Sequence, residues 1–401
     1  MEKRHWLKAG GRLALLALLL VSGLPSDQAR AGGAPAASDR SGRRVSAMAA
    51  TLGWHTETVD SDGKVGQYTS LVLDDEGHPH ISYCKLTSSG LSCTNLKYAW
   101  HDGTTWHTET ADDDYNTGAW TSLILDSSGR PHITYSRSNP KELRYAYKHQ
   151  GEWYVETIDN QGQYSSLVME PYSPRRLHVS YYGNVSQTLK YAYNDGTWHV
   201  EEADTNAPVG GHTSLAIWAY AFPTPVESPR IAYYDWSNIN LKYAYQDHTG
   251  WNHETVDEGA GIIGWYTSLA LDSGNDPHIS YQDYHNLNLK HAYLDGSQWY
   301  SETVDWDGDI GSYTSLALNG SDRPHISYYD GHPNYNLKYA YHDGLDWQIE
   351  TVDGHGVMLG SHTSLALDAS GWAHISYYDY TNYSLKYARR AYLIFLPLVL
   401  R

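Results

Sequence analysis

Phenylalanine is nearly missing from this chain, with two residues in 401 against 36 tyrosines and 15 tryptophans. Without it, the aromatic filling must come from rings with a polar edge, which suit half-buried strands and wet binding surfaces. Basic residues are also short. The 28 Lys and Arg face 46 Asp and Glu, for a net charge of −18, which argues against nucleic acid and anionic polysaccharide as partners because both need a concentrated basic face. Cysteine is limited to Cys84 and Cys93. Two thiols so close in a chain that reads as exported are expected to form a disulfide rather than a metal site.

Long apolar runs are missing too. The stretch Leu13 to Leu24 is short for a membrane span. It follows Lys3, Arg4, Lys8 and Arg12 and precedes Ala29-Arg30-Ala31, the layout of a cleaved export signal. Residues 1–31 are therefore expected as a signal peptide, with a secreted, extracellular destination. Residues 32–53 lack hydrophobic periodicity and read as a disordered linker. The C-terminal residues 389–401 read as an apolar tail, again too short to span. If that tail closed the last blade, the strand at Trp54 would be displaced.

What is present is a repeat. Trp54, Trp106, Trp153, Trp198, Trp251, Trp299 and Trp347 recur at roughly 48-residue intervals, the size of a propeller blade. Each opens a cassette of four short segments rich in β-branched and aromatic residues, separated by Gly, Asp, Asn, Ser and Pro. Helical periodicity is absent from the repeat region. The pattern predicts an all-β, seven-bladed β-propeller over residues 54–388. The Thr/Ser-Ser-Leu element occurs seven times, at Leu71, Leu123, Leu167, Leu215, Leu269, Leu316 and Leu365. The last cassette has no Trp strand of its own, so Trp54–Asp60 is expected to complete the blade of residues 363–387 and close the ring.

Regularity discounts the charged residues that first look catalytic. Glu57, Glu109, Glu156, Glu201, Glu254, Glu302 and Glu350 recur on the outer strand; a base recurs on its neighbour from Lys97 to Lys386. Cross-strand pairing within each blade is the expectation. The Asp residues ending each outer strand, Asp60 to Asp353, are expected to hold the following turn. His80, His132, His178, His278, His325 and His374 are expected to pack or hydrogen-bond rather than bind metal.

Candidate ligand contacts lie on the face where outer-to-inner and second-to-third strand loops emerge. Tyr68, Trp120, Tyr164, His212, Tyr266, Tyr313 and His362 form one ring, with a residue from each blade. Nearby loops carry Asp235, Asp283, Asp330 and Asp379, with Trp236, Tyr284, His285 and Asn286 among their neighbours. Flat rings beside Asp and Asn offer an apolar platform for a sugar and hydrogen-bond partners for its hydroxyls. The same rings could instead plug the channel and seal blade to blade. Two Asp-rich loops, Asp60–Gly63 and Asp305–Asp309, invite Ca²⁺ but lack a properly spaced acidic terminator, so no cofactor is expected.

The turns Asp102-Gly103-Thr104-Thr105-Trp106, Asp195-Gly196-Thr197-Trp198, Asp295-Gly296-Ser297-Gln298-Trp299 and Asp343-Gly344-Leu345-Asp346-Trp347 resemble a degenerate Asp-box, the turn between third and fourth strands of sialidase-type (BNR) propellers. The resemblance covers residues 54–388. It departs from the pattern in lacking the leading Ser and in placing Gly directly after Asp. It implies carbohydrate as a ligand class without implying catalysis, since no sialidase arginine triad can be placed. The expectation is a monomeric, lectin-like binder of neutral glycan with no catalytic residues. A polysaccharide-active lyase or hydrolase and a protein-interaction scaffold are the alternatives.

Overall fold

A computed structural model describes residues 50–171, 176–220, 226–354 and 359–394. The expected signal peptide, most of the expected linker and the end of the tail lie outside these residues. Among the described residues, 28 strands form seven separate four-stranded antiparallel sheets, and none forms an α-helix. The first blade runs β2 (Val65–Leu73), β3 (Pro79–Leu86), β4 (Cys93–His101), β5 (Trp106–Asp112), from the channel outward. Five further blades repeat that order. The seventh is composed of β26 (Leu359–Leu367), β27 (Ala373–Asp379), β28 (Ser384–Ile394) and, on its outer edge, β1 (Ala50–Asp60).

The closing pair is longer than the sequence reading placed it. Residues 50–53, expected in the linker, and residues 389–394, expected in the tail, pair with each other from Ala50↔Ile394 to Gly53↔Ala391. The tail therefore does not compete with the Trp54 strand. It extends the strand on which Trp54 docks, and each segment pairs along one edge with the other.

The core lies between blades. One cluster joins Leu96, Tyr98 and Ala111 of the first blade to Leu123, Ile133, Tyr135 and Ala146 of the second, and similar clusters fill the other junctions. Tyr and Trp take the place of the missing Phe because their polar ends find partners across these junctions. Tyr83, Tyr135, Tyr181, Tyr233, Tyr281, Tyr328 and Tyr377 each donate a hydroxyl proton, at 2.5–2.7 Å, to the Asp that ends the preceding blade's outer strand.

Those Asp residues do more than hold a turn. Asp60, Asp112, Asp204 and Asp305 accept a turn amide on Oδ1, while Oδ2 receives the tyrosine of the next blade. The same Oδ2 also takes the recurring base: Lys190 on Asp159 at 2.6 Å, Lys242 on Asp204 at 3.1 Å, Lys338 on Asp305 at 3.1 Å and Arg144 on Asp112 at 3.0 Å. This corrects the expected Glu–Lys pairing within a blade. In the register a Tyr or His faces Glu, as in Tyr98↔Glu109, while Lys97 faces Thr110. The glutamates instead accept the indole N–H of the following blade, with Trp54, Trp153, Trp198, Trp251 and Trp299 donating at 2.8–3.2 Å.

The Thr/Ser-Ser-Leu element is an adhesive between blades. Ser70, Ser122, Ser166, Ser214, Ser268, Ser315 and Ser364 each accept, at 2.9–3.0 Å, the backbone N–H of the Leu in the next blade. The residue just before that Ser binds backward: Thr69, Thr121, Ser165, Thr213 and Thr314 donate to a carbonyl of the preceding blade at 2.7–3.2 Å. Each hydrogen bond contributes about 1 kcal/mol net, and an orphaned buried N–H would cost about 1–3 kcal/mol. The recurring histidines are structural as expected. His80, His132, His178, His325 and His374 bond the Tyr of the adjacent strand, and His278 bonds His291 at 3.0 Å where the fifth cassette has His for Tyr.

Candidate functional site

The structure brings all seven predicted ring residues together. Each inner strand opens with a bulge in which two residues oppose one, as between Gln67 and Ser70. The first bulged residue is the aromatic or imidazole one. All seven sit at φ between 50° and 57°, the left-handed region that glycine usually fills at a bulge. A bulky L-residue there costs about 1–2 kcal/mol, so the set holds on the order of 10 kcal/mol of backbone strain. The bulge aims each ring at the channel mouth.

There the rings close on themselves. Going round, Tyr68, Trp120, Tyr164, His212, Tyr266, Tyr313 and His362 touch in every adjacent pair, with centroids 4.3–5.2 Å apart. Below them stands the belt of Thr and Ser hydroxyls, and the shallow open depression that rings and belt line measures about 200 Å³. That is below the roughly 300–1,000 Å³ of ordinary ligand pockets. The collar is electrically neutral. Burial pushes His212 and His362 down to about 3, and it raises the hydroxyls of Tyr68, Tyr164, Tyr266 and Tyr313, helped at Tyr68 and Tyr266 by neighbouring tyrosines of the ring.

The four predicted aspartates lie elsewhere. Asp235, Asp283, Asp330 and Asp379 are buried at the ends of their second strands. Each accepts the side-chain amide of an Asn three or four residues on: Asn238, Asn286, Asn334 and Asn382. The turn so closed puts Ile239, Leu287, Tyr335 and Tyr383 at positive φ. Their carbonyls accept the first inner-strand N–H of the next blade at 3.0 Å. These carboxylates hold the loops that frame the site.

An asymmetric group stands on that frame. Trp265, which the sequence reading did not single out, precedes Tyr266 where the other cassettes have Gln67, Ala119, Gln163, Gly211, Ser312 and Ser361; this departure was the signal available in the sequence. Tyr182 packs on Trp236 at 4.6 Å and Trp265 on Tyr284 at 4.6 Å. Tyr234 links the two pairs at 5.6 and 6.3 Å. Trp265 also touches the collar, 5.9 Å from His212 and 6.2 Å from Tyr266. Tyr284 is 44% exposed.

On the two Asp-rich loops, Asp60 is occupied by Tyr83, and Asp305 by Tyr328 and Lys338. Among the described residues one trio of donor side chains, Asp74, Glu76 and His78, is close enough to share a cation. It lies in the turn between β2 and β3, at the other end of the channel. Cys84 and Cys93 are joined, with Cα atoms 5.6 Å apart. The Asp-Gly turns lie between third and fourth strands as the resemblance implied, with Asp102 Oδ1 accepting the amides of Thr104 and Thr105 at 2.8 Å.

No family model matches the sequence, and no curated protein does. Solved structures match the fold. The SapL1 lectin in complex with alpha-methyl fucoside aligns with a TM-score of 0.52 and 14% identity, over 73% of this chain and 98% of that one. An ulvan lyase from a polysaccharide lyase family aligns with a TM-score of 0.50 and 12% identity, over 83% and 95%. The leech intramolecular trans-sialidase gives a TM-score of 0.42 and 13% identity, over 84% and 70%. At these identities the likeness is one of fold: the chain is a seven-bladed propeller.

Proposed function

We propose that this chain is a secreted, lectin-like propeller that binds neutral carbohydrate over the aromatic collar, on the face bearing the outer-to-inner strand loops. The observation that carries the reading is the collar with its flanking rings: a closed set of seven, uncharged at neutral pH, joined by Trp265 to the half-exposed ring of Tyr284 and, through Tyr234, to Trp236. Sugar C–H faces stack on such surfaces, and Asn and His side chains at the edge bond the hydroxyls. The export signal expected in residues 1–31 and the Cys84–Cys93 disulfide suit an oxidising compartment.

The test is a glycan array probed with residues 32–401, with and without added calcium or chelator, followed by product analysis on any polysaccharide retained. Retention of uncharged glycans without cleavage, unaffected by chelation, is the expected result. Cleavage products would make the protein an enzyme instead, and silence across the array would favour a protein partner.

A further inference from the structure

Seven equal blades would offer seven equal sites, yet the rings outside the collar are unequally distributed. The indole of Trp236 rests where a side chain at Gly211 would stand: a Cβ there would come within 2.3 Å of it. Gly211 is the fourth blade's counterpart of Trp265. One blade therefore receives its indole from the second-to-third strand loop above a glycine, and the next carries it on the inner strand beneath Tyr284. His285 is accommodated the same way, since a Cβ on Gly261 would lie 2.4 Å from its ring. The two pairs, Tyr182–Trp236 and Trp265–Tyr284, are bridged from beneath by the buried ring of Tyr234 into one wall.

Charge separates this sector from the first two blades. The loops 205–208, 236–239, 258–262 and 284–287 contain no Lys or Arg and a single acid, Glu258, whereas in the first two blades Lys64 and Lys141 lie on loops and Lys85 and Arg137 at the ends of the second strands. Ser237, Asn238, His285 and Asn286 are exposed beside the wall. Half-buried flat rings, uncharged surroundings and exposed hydroxyl, amide and imidazole groups match an uncharged saccharide segment rather than a uronate or sulfated one.

We infer that this wall, spanning the third to fifth blades, is the one saccharide subsite outside the collar among the described residues, making the protein a monovalent binder of an uncharged oligosaccharide despite its sevenfold scaffold. The inference rests on the proposed carbohydrate function. Cello-, xylo-, manno- and galacto-oligosaccharides are the probes, titrated calorimetrically against the folded chain. The expected result is one site per chain, with affinity reduced at least tenfold in Trp236→Ala and in Tyr284→Ala and unchanged in Tyr115→Ala, an exposed tyrosine on a loop after the first blade. Because Tyr284 is exposed, its variant keeps the test valid if Trp236→Ala fails to fold. A stoichiometry near seven, or binding indifferent to both substitutions, overturns the inference while leaving the carbohydrate reading intact. Failure of the unaltered protein to bind any of the four series, or any array glycan, overturns both.

Discussion

Ser364 and Leu71 are 293 residues apart in the chain, yet the serine hydroxyl accepts the leucine N–H at 3.0 Å. This contact crosses the seam between the last blade and the first, and six others like it stitch the remaining junctions. It gives the Thr/Ser-Ser-Leu element a function that its frequency alone does not reveal.

Ser364→Ala leaves the Leu71 amide without its acceptor. The expected cost is about 1–3 kcal/mol, seen as a fall in Tm of roughly 2–6 °C, whereas Ser127→Ala in an exposed turn leaves the melt unchanged. Calorimetric scans of the two variants decide it, and equal melts would remove the adhesive role from this serine.

Deleting residues 50–60 strips the last blade of its outer strand, the Trp54–Glu350 bond and the Asp60 partner of buried Tyr83. Fraying should then spread from the exposed β28 edge, lowering Tm by on the order of 10 °C or more. Thermal denaturation followed by circular dichroism is the measurement. An unaltered Tm is the outcome incompatible with closure by this strand.

Acid should weaken the ring well before the carboxylates titrate. Burial holds His212 and His362 at about 3, below the roughly 6.5 of an unfolded histidine. Between those values the unfolded chain binds more protons, so stability is full above pH 6.5 and is lost as pH falls toward 3. At pH 5 the loss is about 2 kcal/mol for each residue. The double variant His212→Tyr/His362→Tyr, using the residue found at four other collar positions, should melt with a shallower decline from pH 7 to pH 5. An acid limb identical to that of the unaltered protein would show that these histidines do not set it.

Blade number, strand order and closure were legible in the sequence because they are local patterns repeated: a Trp strand, a Thr/Ser-Ser-Leu strand and turns of Gly, Asp and Asn are each read within a few residues. The collar was legible as a set of positions for the same reason. Its left-handed backbone was not, since nothing at Tyr68 or Trp120 distinguishes a bulged aromatic from an ordinary one.

The partners of the repeated charges were beyond reach for a different reason. Lys190 and Asp159 belong to different blades, and periodicity cannot say whether an acid meets the base of its own blade or of the next. The four predicted aspartates, Asp235 among them, were visible as loop residues, and only the fold showed each one buried and bonded to its Asn. Sequence by itself determined that seven similar blades form and which strand ends the ring, because those depend on composition along a short stretch of chain. Tertiary structure decided which groups meet across junctions, and that Trp236, Trp265 and Tyr284 form one wall, because such contacts depend on how neighbouring blades are set against each other.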